Sequence, residues 1–411
     1  MKRQRCPQLV PRLGAALLAA GALVLTGPAF ADGKTNAPGI TDTEIIIGQT
    51  MPYSGPSSAW GADGLAEIAY IKMLNERGGV NGRKIKLISL DDGYSPPKTV
   101  EQTRKLVEQD DVAFIFSSLG TPTNTAIQKY LNEKKVPQLF VATGASKWAD
   151  PEHFPWTMGW PPSYYTEARI YARYILEHKP DGKIAVLYQN DDYGKDYLSG
   201  LKDGLGDKYA KMVAVQTSYE VSDPTVDSQI VTLQSSGADI FVDIAGPKFA
   251  AQAIRKAYDI GWKPTHFLNT VGSAVGAVLQ PAGLEKSVGV ITARYYKDPT
   301  DPQWQDDPGY REWLAWMKKY NPDGNVADYY NVLGYNLAMT LEQVLKQCGD
   351  DLSRENVMRQ AANIHDLKLP MLLPGIAVNT SATDFRPVKQ MLLVRFDGKT
   401  WQPFSELMGD M

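Results

Sequence analysis

The chain has 411 residues, of which 43% are hydrophobic and 22% charged, and a formal charge of −3. That balance is ordinary for a globular protein, and the net acidity argues against a nucleic-acid binder, which needs clustered basic surface. At roughly 100–200 residues per domain the length predicts two domains, and two cysteines are too few for a disulfide scaffold.

Residues 1–31 differ from the rest. Lys2, Arg3, Arg5 and Arg12 form a basic start, residues 13–26 are almost purely small and apolar, and Ala29-Phe30-Ala31 is an A-x-A cleavage site. This is the pattern of a secretory signal peptide, with the mature chain starting near Asp32. The apolar run is short for a membrane span. No cysteine follows it, which argues against a lipid-modified start. Removing residues 1–31 takes away four positive and no negative side chains, so −3 becomes −7. Cys6 leaves with this segment and Cys348 is then alone, which forbids an intramolecular disulfide. Cys348 reads as a small residue near a helix end. The four histidines form no motif with it, so a nucleophile is not expected.

The first strand is Ile45-Ile46-Ile47, a β-branched run suited to a buried parallel strand. A loop rich in Gly, Pro and Ser follows from Gly48 to Gly61, and a helix pattern begins at Ala62. Trp60 sits in that loop, as a ligand wall or as a cap on the lobe's own core. Strand 84–90, helix 95–107, strand 112–116, loop 117–124, a helix to 133, strand 138–142 and loop 143–146 continue the rhythm. Steady alternation of strand, loop and helix means βαβ units and a parallel sheet.

Residues 154–162, with Trp156, Trp160 and Pro161-Pro162, break the rhythm and read as a crossover. The alternation restarts with helix 165–177, strand 183–188, loop 190–194, a helix to 203 and strand 211–216. Helix 226–235, strand 240–245, helix 249–259 and strand 266–269 follow. Two similar α/β units result, about 43–160 and 165–285. Beyond them come a strand at 287–296, helices at 310–319, 328–347 and 353–363, and a tail at 376–378 and 391–401 that alternates like antiparallel strands.

No enzyme signature is present: no P-loop, no G-x-S-x-G elbow, no H-E-x-x-H and no Cys/His cluster. No catalytic residue, metal or cofactor is expected. Asp91-Asp92 and Asp191-Asp192 read as turn and helix-cap residues. What remains is a set of loops at strand ends: 54–60, 117–124, 143–146, 191–194, 246–249 and 270–273. In open α/β sheets ligands sit at the carboxyl ends of strands. Hydroxyls and free N–H groups at helix N-termini receive anions, and Trp60, Trp160, Tyr193 and Phe249 supply apolar walls. A small carboxylate with an apolar body fits, provided that the two units face one another.

The order I-x-I-G-x5-S-G-x5-G from Ile45, then Asn75-x-x-Gly78-Gly-Val-Asn-Gly82, Asp91-Asp92 and Asn190-x-x-Tyr193-Gly194, resembles the periplasmic leucine/isoleucine/valine-binding proteins over residues 40–400. The resemblance implies a type I periplasmic binding protein: two doubly wound parallel-sheet lobes joined by a three-segment hinge. It places residues 40–161 plus 288–372 in lobe 1 and 162–287 plus 373–411 in lobe 2. It implies a monomer in the periplasm that serves the membrane permease of an ABC importer. A free sensor protein that presents ligand to a membrane kinase is the other role the fold allows.

By the same resemblance, Trp60 matches an aromatic that lines the pocket. Ser118, Gly120 and Thr121 fall in the loop that holds the amino acid, and Gly144 and Ser146 where ammonium and carboxylate are gripped. Tyr193 matches the tyrosine of the second lobe, and Trp160 is a further aromatic candidate. The family's acidic partner of the ligand ammonium should fall near Gly246-Pro-Lys-Phe249, where no carboxylate stands. The family's early disulfide is missing too. The ligand readings stay open: a branched-chain-type amino acid held by other groups, an aromatic or short aliphatic acid stacked on Trp60 and Phe249 and neutralised by Lys248, or an amide bound in the same fold.

Overall fold

Twelve strands and twelve helices make two sheets with helices around them in the computed structural model, which describes residues 38–409. The predicted signal peptide and the mature start at Asp32 lie outside the described residues.

The first half runs β1 (Glu44–Met51), α1 (Gly61–Glu76), β2 (Lys84–Asp91), α2 (Pro96–Glu108), β3 (Ile115–Phe116), α3 (Thr121–Glu133), β4 (Gln138–Val141) and β5 (Thr157–Gly159). All its pairings are parallel, in the order β2-β1-β3-β4-β5. Ile45, Ile47 and Met51 are fully buried, as a strand covered on both faces requires. The segment that broke the predicted rhythm adds the fifth strand of this sheet.

The second half begins with α4 (Tyr164–His178), β6 (Ile184–Gln189), α5 (Asp192–Leu205), α6 (Tyr209–Met212) and β7 (Val213–Tyr219). It continues through α7 (Asp227–Ser235), β8 (Ile240–Ile244), α8 (Pro247–Asp259), β9 (Thr265–Leu268), α9 (Gln280–Ala282) and β10 (Ile291–Arg294). Then come α10 (Pro308–Tyr320), α11 (Tyr330–Cys348), α12 (Arg354–Ala361), β11 (Leu392–Phe396) and β12 (Trp401–Pro403). The second sheet has the order β12-β11-β10-β9-β8-β6-β7. Its pairings are parallel except β10–β11 and β11–β12, which are antiparallel, and β11 and β12 are joined by the turn expected after Phe396. Of residues 376–378, only Val378 pairs, in a single bridge with Leu367.

Three segments connect the lobes. The first leads from β5 through Trp160-Pro161-Pro162 to α4. The second leaves β10, and the third returns near Leu372 to reach β11. The last two lie side by side: Lys297 N donates to Met371 O at 2.9 Å and Leu373 N to Tyr295 O at 3.1 Å. The chain leaves the second sheet later than residue 288, because Ile291 to Arg294 are buried between β9 and β11. Helix α11 packs along α1 of the first lobe, where Gly334 lets the helices approach: a Cβ there would lie 2.3 Å from Asp63 O.

Candidate functional site

The first sheet reverses strand order around β1 and β3, and the second around β6 and β8. Loops after those strands converge, as the switch-point rule predicts. They enclose a cavity of about 30 Å³, room for little more than a water, so a larger ligand enters only when the lobes part. Trp60, Tyr94, Leu119, Gly120, Thr121, Ala142, Thr143 and Tyr164 line it, together with Tyr193, Val271, Tyr329, Tyr330 and Leu333.

Trp60 ends a short turn of 3-10 helix immediately before α1 and is buried at 6% exposure. It is both wall and clasp. Its ring stands 5.4 Å from that of Tyr94, and its Nε1 donates to Val271 O in the other lobe at 3.2 Å. Tyr330, on the first turn of α11, donates to the same carbonyl at 2.8 Å. Gly246 keeps room for this contact: a Cβ there would lie 3.0 Å from Trp60 Cη2.

Gly120 has φ of +102° and is the N-cap of α3, which presents Thr121 to the cavity. Thr121 Oγ1 and Thr143 Oγ1 are 2.5 Å apart, and Thr143 Oγ1 donates to Tyr164 Oη at 3.1 Å. Tyr164 stacks on Tyr197 at 4.7 Å and meets Tyr193 edge-on at 5.3 Å. Tyr193 is held at the start of α5 by Asp191, whose carboxylate accepts from the N–H groups of Tyr193 and Gly194. The Tyr193 hydroxyl is buried without a hydrogen-bond partner.

Of the residues singled out in the sequence, Trp60, Gly120, Thr121 and Tyr193 meet at the cavity. The others do not line it. Ser118 Oγ accepts from Thr50 N at 3.0 Å and braces the loop from behind. Gly144 lies against the hinge, where a Cβ would come within 2.2 Å of Pro162 O. Ser146 is on the exposed rim and bonds through its N–H and hydroxyl to Asp196 of α5. Trp160 is fully buried in the hinge, donating to Thr340 Oγ1 at 3.0 Å. Lys248 is turned away: its Nζ donates to Asp223 O at 2.9 Å and lies 4.6 Å over the Phe249 ring. Phe249 packs behind Tyr219 at 4.3 Å. The expectation that Phe249 stacks on ligand and Lys248 neutralises it therefore gives way. Helix α8 points both into the second lobe's own packing.

Sequence reasoning missed Tyr94, Tyr164, Tyr329 and Tyr330. The doublets Tyr164-Tyr165, Tyr295-Tyr296 and Tyr329-Tyr330 were an available signal. The rim carries a polar latch as well, with Lys147 Nζ 3.0 Å from Asp192 Oδ2.

Cys348 is free and buried, and burial pushes its thiol up to about 12. No group of three or more metal-ligating side chains occurs among the described residues. No described helix is long and apolar enough to cross a membrane.

Two lobes closing over a cavity define a binding protein of the periplasmic type. The chain matches the family described as periplasmic binding protein over residues 44–400, and it belongs to that family. It is similar to the Leu/Ile/Val-binding protein homolog 7 of Brucella abortus (strain 2308), 29% identical over 297 residues, covering 67% of this chain and 71% of the relative. Homolog 1 of the same strain is 25% identical over 320 residues, covering 76% and 81%.

Among solved structures, a branched-chain amino acid ABC transporter protein from Thermus thermophilus with bound valine superposes with a TM-score of 0.81. It is 16% identical and is covered to 98%, against 90% of this chain. A fatty acid ABC transporter substrate-binding protein from Thermomonospora curvata gives 0.75 at 22% identity, covering 92% of this chain and 96% of that one. These likenesses establish the type I periplasmic binding fold. The family is one of periplasmic solute binders.

Proposed function

We propose that the protein is the solute-binding component of an ABC importer. It captures a small carboxylate between its lobes and hands it to a membrane permease. The observation that carries this reading is the pair of bonds from Trp60 and Tyr330 to Val271 O, which tie one lobe to the other across a cavity at both sheets' strand ends. Two structural neighbours, one with bound valine and one a fatty acid transporter protein, agree with a small acid as cargo.

Binding proceeds in two stages. The ligand's acid head settles at the N-terminus of α3 against Thr121, where the helix dipole favours an anion. Hinge motion then brings Tyr193 and Val271 over it. Closure needs tighter binding to the closed form than to the open one. The work is binding rather than catalysis, carried out by a monomer in the periplasm after removal of the signal peptide.

A thermal-shift screen of small acids, amino acids, amides and sugars tests this. A ligand at about 100 times its Kd adds roughly 2.7 kcal/mol of stability. Stabilisation by a small acid or amino acid supports the reading, and none by any member of the panel refutes it.

A further inference from the structure

We propose that the ligand is a small aromatic monocarboxylic acid without an ammonium group. The inference rests on the solute-binding reading above and decides among the ligand classes that the sequence left open.

The first observation concerns charge. None of the thirteen lining residues is Asp, Glu, Lys, Arg or His. Two of the carboxylates that flank the site are engaged elsewhere. Asp191 caps α5 and accepts from Gln189, and Glu167 accepts from Tyr171, Tyr197 and the N–H of Thr270. Two lining carbonyls are also occupied. Val271 O accepts from Trp60 and Tyr330, and Gly120 O accepts from Thr123 Oγ1 and from both nitrogens of Asn124. No charge of either sign stands here, so the balance of donors and acceptors decides: a buried ammonium would find these carbonyls already engaged and no carboxylate to accept from it.

The second observation concerns donors. With Thr143 donating to Tyr164 Oη, the Tyr164 hydroxyl keeps its own proton to give away. The Tyr193 hydroxyl has no partner at all, although the residue is only 2% exposed. Both phenols line the cavity, close to the start of α3. Phenol O–H groups beside a helix N-terminus suit an acceptor head such as a carboxylate.

The third observation concerns shape. Six of the lining side chains are aromatic: Trp60, Tyr94, Tyr164, Tyr193, Tyr329 and Tyr330. The Trp60 and Tyr94 rings lie at 44° to one another and those of Tyr329 and Tyr330 at 50°. These rings pack on one another in the closed form, and aromatic side chains of this kind receive a flat ring through offset and edge-on contacts when the lobes part.

Calorimetric titration with benzoate, benzamide, phenylalanine and leucine tests the inference, on the wild type and on Tyr193→Phe. Benzoate is expected to bind at least tenfold tighter than either amino acid and than benzamide. Tyr193→Phe is expected to weaken benzoate about tenfold, the usual effect of losing a hydrogen bond to a charged group, with its melting temperature near the wild type. Leucine or phenylalanine binding tighter than benzoate overturns the inference while leaving the solute-binding reading intact. So does benzamide matching benzoate. If none of the four binds, the inference fails, and the broader solute screen then shows separately whether the solute-binding reading fails with it.

Discussion

Trp60 Nε1 donates to Val271 O at 3.2 Å, a bond that joins residues 211 apart in sequence and spans the two lobes. The same indole ring forms a wall of the cavity. Closing the cleft and surrounding the ligand are thus one event at this side chain. Trp60→Ala should weaken ligand binding by about 1–3 kcal/mol from lost apolar contact, roughly 5- to 150-fold. Trp60→Phe keeps ring contact but loses the bond to Val271, and its affinity should fall in between. Calorimetry on both variants checks the order.

The rim latch predicts a salt-dependent affinity. Lys147 Nζ and Asp192 Oδ2 are 3.0 Å apart but half exposed, so the pair contributes at most about 1 kcal/mol. Lys147→Met should weaken binding by no more than about fivefold at low ionic strength. The difference should shrink as salt screens the pair. Titrations at two salt concentrations show it, and a salt-independent loss would give Lys147 another role.

Asp328 sits just before the tyrosines of α11. Burial, with repulsion from Asp298, raises its carboxyl to about 7. In the unfolded chain the group titrates at about 3.9. The folded state therefore binds the extra proton. Its stabilising effect is complete below pH 4 and is lost as pH rises to 7, by up to about 1.4 kcal/mol per unit. Asp328→Asn should flatten that slope. Urea unfolding at pH 5 and pH 8 measures it.

A second buried acid cluster lies in α1. Asp63 and Glu67 are fully buried; neither oxygen of Asp63 has a hydrogen-bond partner, and Gln49 reaches only one oxygen of Glu67. Burial holds both carboxyls well above the usual range, and repulsion from Asp63 adds to the effect on Glu67. The sign is the same as for Asp328: native stability declines as pH rises above about 4. Asp63→Asn and Glu67→Gln should each remove part of that decline. The effect should appear in unfolding free energies with little change in ligand affinity, because neither residue lines the cavity.

The fold was readable because its signal is local and repeated. A β-branched run such as Ile45 to Ile47 and a capped helix such as α5, with Asp191 bonding to Tyr193 N, declare themselves within a few residues. Loops at strand ends follow from that alternation, which points to Trp60 and Tyr193, while Thr121 comes from the family resemblance. Side-chain direction is not local. Lys248 and Phe249 occupy an expected loop, but α8 turns them toward Asp223 and Tyr219. Tyr329 and Tyr330 come from a helix that packs on α1 from far along the chain, so no spacing in the sequence brings them to Trp60. The late exit at Arg294 was hidden for the same reason, because strand membership is set by partners in β9 and β11.

The most direct test of the account is a calorimetric titration of the wild type and Trp60→Ala with benzoate under identical conditions. The account predicts one-to-one binding to the wild type and a loss of at least fivefold in the variant. Equal affinity in the two proteins, with the variant folded, would place the ligand outside the cavity between Trp60 and Val271 and contradict the account.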